Sequence, residues 1–225
     1  RRHSSAASDV YKRQIIKIAS GQGVAMWEPF NRHHDGLYQV ERHLYKNTIG
    51  DKIVFEELNH TLKLKFQYSW NTSEEFGFVR RSQITDLSGT TREIELIDGL
   101  QNLLPSGAPL SALQTRSALV DAYKWNELLD GSSLALFTMY AKLSDRAEPA
   151  ESLLATTVFS VDNDYGQRLL SSSQVSAFRQ GREIKNEALT KGVRGSYLIH
   201  KSIKLEANQN KSWLIIADID KNHSD

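Results

Sequence analysis

Along most of this chain apolar and polar side chains alternate one by one. In "TLKLKFQYSW" Leu62, Leu64, Phe66, Tyr68 and Trp70 fall on one face and Lys63, Lys65, Gln67 and Ser69 on the other. Successive side chains leave a strand on opposite sides, so this pattern predicts a half-buried strand. Eight further segments are of similar kind: "LYQVERHLYK", "DKIVFEEL", "FGFVRRSQIT", "TREIELID", "SLALFTMYAKL", "SLLATTVFSV", "GSYLIHKSIKLEA" and "SWLIIADI". Turn-forming residues separate them, at Asn47 to Gly50, Asn71 to Glu75, Ser88-Gly89, Asp98-Gly99, Asp130-Gly131, Asp145 to Pro149, Asn163 to Gly166 and Asn208 to Asn210. So many strands on short turns predict an all-β fold, an antiparallel β-sandwich.

One stretch breaks the rhythm. "SALQTRSALVDAYKWNELLDG" opens with Ser111 and Gln114 at capping-box spacing and closes with Gly131. Ala118, Ala122, Trp125 and Leu129 share one helical stripe, which predicts a helix lying against the sandwich. A polar region from Ser171 to Gly192 predicts loops and short strands at the rim.

Residues 1 to 14 carry Arg1, Arg2, Lys12 and Arg13 against Asp9 alone and show no apolar period. They resemble translated linker or adaptor sequence and are set apart from the fold. Residues 15 to 225 are expected to form one β-sandwich domain, and both ends look cut from a longer protein. The formal net charge is +1, and without the first fourteen residues (net +3) it becomes −2. That balance gives no electrostatic case for nucleic acid or an anionic membrane. The chain has 0 cysteines, which excludes disulfides and thiolate chemistry and points to a reducing, cytoplasmic setting. No apolar run approaches the roughly 18 residues that span a bilayer, so no membrane association is expected.

Candidate chemistry is sparse. His33, His34 and Asp35 are adjacent in "NRHHDG", but neighbouring imidazoles diverge and the HExxH spacing is absent. Asp218, Asp220 and Asn222 match the first ligand positions of a calcium loop, yet His223 stands where the sharp turn needs glycine. Gly21 and Gly23 start a dinucleotide fingerprint that Met26 ends. No nucleophile elbow or P-loop is present. Hence no catalytic residue, metal or cofactor is assigned.

"QYSWNTSEEFGFVRRS" has a different character. Indole rings stack on the apolar faces of sugars, and charged fork-shaped side chains hold hydroxyls. Trp70 at a strand end, with Arg81 on the following strand and Trp27 in "MWEPF", is therefore the candidate substrate-binding set. Glu74 and Glu75 are neighbours in the turn and need not converge as a glycosidase pair does.

"MWEPF", "YQVERHLYKNTIGDKIVFEELN", "YSWNTSEEFGFVRRS", "ELIDGLQNLLPSG", "LVDAYKWNEL", "DRAEPAESLLATTVF" and "GSYLIHKSIKLEA" occur in this order. Together they resemble the N-terminal β-sandwich region of bacterial proteins similar to cellobiose phosphorylase. The resemblance spans most of residues 24 to 219. It implies a galactose-mutarotase-like supersandwich that precedes an α/α-barrel carrying the acid/base chemistry on oligosaccharides. No barrel repeat lies in this chain, so no catalytic acid is carried over. The partners it implies are an oligosaccharide and the α/α-barrel of the same parent chain; a homodimer is left open. Within the same fold, "NHT" at Asn59 to Thr61 faintly resembles a motif of stand-alone aldose epimerases. A purely structural or interaction domain is the remaining alternative.

Overall fold

A computed structural model describes residues 12–20, 23–32, 35–108, 110–141, 153–161 and 166–224. The chain runs through β1 (Lys12–Ser20), β2 (Gly23–Trp27), β3 (Val40–Lys46), β4 (Lys52–Asn59), β5 (Leu64–Ser73), β6 (Gly77–Asp86) and β7 (Arg92–Leu103). Two short helices follow, α1 (Leu110–Thr115) and α2 (Ser117–Ala122). Then come β8 (Lys124–Leu128), β9 (Ala135–Met139), β10 (Ala155–Val161), β11 (Gln167–Leu169), α3 (Val175–Arg179), β12 (Leu189–Lys191), β13 (Gly195–Leu205) and β14 (Asn210–Lys221).

All nine alternating segments contain a strand. In β5 Leu64, Phe66 and Tyr68 are buried while Lys65 and Gln67 are half-exposed. Thr61 to Lys63 form the preceding turn, with Lys63 in the left-handed region at φ 51°. The strand of β1 takes in Lys12, Arg13 and Gln14, three residues ahead of the division read from sequence.

The single helix expected from Ser111 to Gly131 is replaced by two six-residue helices and a strand. Helices this short are marginal without packing, and α2 has no side-chain cap at Arg116. From Lys124 onward the chain pairs with β9 on one side and β12 on the other, and two flanking ladders outweigh a weak helical preference. The polar region from Ser171 to Gly192 holds the expected short strand, β12, together with helix α3.

The strands form two antiparallel sheets, a five-stranded one in the order β11-β13-β7-β1-β2 and a nine-stranded one in the order β12-β8-β9-β10-β14-β6-β5-β4-β3. Ile16, Ile18, Leu96 and Ile199 of the smaller sheet pack against Leu64, Phe66, Phe137, Val158 and Ile215 of the larger one. A second cluster covers the other side of the smaller sheet, where Val175 and Phe178 of α3 and Ile184 pack on Ile15, Ile97, Leu169 and Leu198. β7 and β13 approach so closely at Gly99 that a Cβ there would lie 2.0 Å from the carbonyl oxygen of Tyr197. Among the described residues no helix is long and apolar enough to cross a membrane.

Candidate functional site

An open, largely apolar cleft of about 640 Å³ lies at the end of the larger sheet that carries the β3–β4 turn. Ile53, Phe55, Trp70 and Phe78 line it from the larger sheet, and Leu100, Leu103 and Leu104 close it from the other side. Local sequence places each wall. Asn47 Oδ1 accepts hydrogen bonds from the backbone N–H of Gly50 (3.0 Å) and Lys52 (3.1 Å), and Gly50 takes φ +86°, which fixes the β3–β4 turn carrying Asp51. The β7–β13 register steps from Gln101–Ser196 to Leu103–Gly195. Asn102, at φ 56°, is the extra residue of that bulge and turns toward the cleft. Thr156 Oγ1 donates to the Leu104 carbonyl at 2.8 Å and pins the far wall.

Behind the cleft lies a tier of aromatic rings. Phe55 stacks on Tyr68 (4.7 Å between centroids, 13° between planes), Phe30 meets Tyr68 edge-on, and the Arg80 guanidinium sits 4.9 Å over the Tyr68 ring. Trp70 opposes Ile53 and Arg80 in register, half-buried against the core, with part of its ring exposed in the cleft. Asp51 is the charged residue among the lining, with Asn71, Thr72, Asn102 and Thr156 as neutral polar groups. A mainly apolar wall with few polar handles suits a ligand that presents both an apolar face and hydroxyls.

The structure does not bring the three expected binding residues together. Trp27 is 0% exposed, and its indole N–H donates to Glu57 Oε1 at 2.8 Å, so it offers no ring face to a ligand. Glu57 also accepts from the Phe30 N–H and from Arg42 Nε, each at 2.7 Å, which makes this a buried structural tie. Arg81 pairs in register with Ser69 and not with Trp70, so it leaves the sheet on the opposite face, where it donates to Ser212 Oγ at 3.5 Å. Only Trp70 of the three lines the cleft.

His33 and His34 lie outside the described residues, while Asp35 pairs with Arg42 at 3.1 Å. Asp218 pairs with Lys221 at 2.9 Å and Asp220 bonds to Ser106, so the two carboxylates do not converge. Glu74 and Glu75 are exposed in the β5–β6 turn. Among the described residues no group of three or more His, Cys, Asp and Glu could hold a metal ion.

Sequence reasoning missed one network. On the outer face of β3 and β4, His43 bridges Glu56 (3.0 Å) and Glu41 (2.8 Å), and His60 reaches Glu41 at 3.3 Å. The hydrogen bond to Glu56, with that to Glu41, raises His43 above the ordinary imidazole value. His60, the middle residue of "NHT", thus sits on the outer sheet face and not in the cleft. The signal was cross-strand pairing, since His43 directly opposes Glu56, and pairing is set by a register no single segment reveals.

No family model and no curated protein sequence matches this chain. Among solved structures, a polysaccharide lyase is similar with a TM-score of 0.50 and 8% identity, over 96% of this chain and 26% of that one. A protein described as a kojibiose phosphorylase from the human microbiome is similar with a TM-score of 0.42 and 16% identity, over 93% of this chain and 22% of that one. The chain therefore spans about a quarter of the length of these proteins. At 8% identity the first likeness speaks for architecture alone: this chain has the β-sandwich fold of one region of a polysaccharide lyase.

Proposed function

We propose that this chain is a non-catalytic β-sandwich of a carbohydrate-active protein, which holds an oligosaccharide at the end cleft and supports a neighbouring α/α-barrel where the chemistry occurs. The observation that carries the reading is the partly exposed Trp70 ring on the wall of a 640 Å³ cleft, with Asp51, Asn71 and Asn102 alongside. A pyranose ring laid on the indole would bury its apolar face, and those side chains would take its hydroxyls. The fold shared with a polysaccharide lyase agrees with it.

Titration of the purified chain with a β-1,4-linked gluco-oligosaccharide, followed by calorimetry, tests the reading. Binding is expected for the wild type and is lost in a folded Trp70→Ala variant; equal affinity in both removes Trp70 from the site.

A second reading, a docking seat for the neighbouring domain itself, is favoured by the apolar residues left open at the cleft mouth. Phe78 (47% exposed), Leu104 (43%) and Ile219 (57%) would be covered by such a partner. Hydrogen exchange at β6 and β14 in the parent protein separates the two: protection without sugar favours docking.

A further inference from the structure

On the outer face of the larger sheet, far along the strand order from β5, β8, β9 and β12 bring a second group of aromatic and charged side chains together. Trp125 pairs in register with Thr138 on one side and Lys191 on the other, which puts all three on the same face. The Trp125 and Tyr140 rings lie 6.0 Å apart with 26° between their planes. Lys191 Nζ stands 3.9 Å over the Trp125 ring, and the indole N–H donates to Glu127 Oε2 at 3.2 Å. Both contacts hold the indole in a fixed orientation. Tyr140 is 73% exposed, while its backbone is tied by an N–H donated to the Tyr123 carbonyl at 2.7 Å. The result is a near-parallel pair of rings: Trp125, covered by the Lys191 ammonium and tied to the Glu127 carboxylate, and Tyr140, stacked on it and open to solvent.

We infer that the open ring of Tyr140, backed by Trp125, forms a second sugar-stacking platform, for a neutral pyranose of a glycan chain, with Lys191 and Glu127 beside it to take its hydroxyls. Size argues for this occupant over a protein. An aromatic side chain offers at most about 150–250 Å², so two rings fall short of the roughly 800 Å² per partner of a stable protein interface. A single sugar ring, apolar on one face and rimmed by hydroxyls, matches an exposed phenol ring with charged groups nearby. The inference shares the carbohydrate reading of the cleft but rests on a separate surface.

The test follows the Trp125 and Trp70 indole N–H signals by NMR while β-1,4-linked glucohexaose is added to wild type, Trp70→Ala and Tyr140→Ala. The Trp125 signal is expected to move in wild type and in Trp70→Ala, and its apparent affinity to fall about tenfold in Tyr140→Ala. Lys191→Ala, which removes no ring, should also weaken it. A Trp125 signal that stays still in wild type, or moves equally in Tyr140→Ala, overturns the platform. Loss of the Trp70 response alone would instead count against the cleft.

Discussion

Arg80 of β6 and Asp98 of β7 form a fully buried, two-bonded ion pair across the sandwich, at 2.8 and 2.7 Å. Asp98 also accepts the Trp213 indole N–H at 2.7 Å, so two side chains of the larger sheet converge on one carboxylate of the smaller. Charges taken from water are costly unless each is matched, and here the match is geometric and mutual.

Removing one partner should therefore cost more than removing both. Asp98→Leu strands a buried guanidinium and is expected to destabilise by about 3–5 kcal/mol. The pair Arg80→Met with Asp98→Leu should cost less than the sum of its parts, with a coupling of about 0.5–3 kcal/mol. Urea unfolding of the four proteins measures it; additive costs would show that the pair is not a unit.

Asp86 should dominate the acid limb of stability. Burial alone would raise its carboxyl, but donors from Ser88, the Asn208 backbone and Arg92 overcome that and hold it far below the ordinary range. A carboxylate depressed in the folded state contributes stability that is present above its unfolded value near 3.9 and is lost as pH falls below it. Wild type is expected to lose stability from about pH 4 downward. Asp86→Asn should start less stable and fall less steeply over the same window, as thermal melts across pH would record.

Trp27→Phe and Trp70→Ala should separate structure from binding. The first breaks the bond to Glu57, leaves a buried carboxylate one donor short and costs about 1–3 kcal/mol, with sugar affinity unchanged. The second removes cleft wall and abolishes binding at that site. Arg81→Ala, on the opposite face, is expected to leave cleft affinity as in wild type; a large loss would mean the ligand reaches around the sheet edge.

Gly99→Ala tests the closeness of β7 and β13. The new methyl would meet the Tyr197 carbonyl and Leu198 backbone, neither of which can rotate away. The cost should reach or exceed the 1–3 kcal/mol usual for overpacking. A melting temperature within a degree or two of wild type would require the strands to be looser than described.

The alternation of side chains by itself determined nine of the fourteen strands among the described residues and the inward face of β5. Leu64, Phe66 and Tyr68 could be read as one buried face because the period of two is a local property of the backbone. Local pattern also placed Trp70 on that strand, but at its end, whereas β5 runs on to Ser73. Only the tertiary structure decided what those residues meet. Trp27 is sealed beneath Glu57, Arg81 is turned away from Trp70, and Trp125 moves from an expected helix to an outer sheet face beside Tyr140 and Lys191. Each outcome depends on which distant strand pairs with which, and in what register. Pairing energy is shared between segments far apart in the chain, so no single segment contains it.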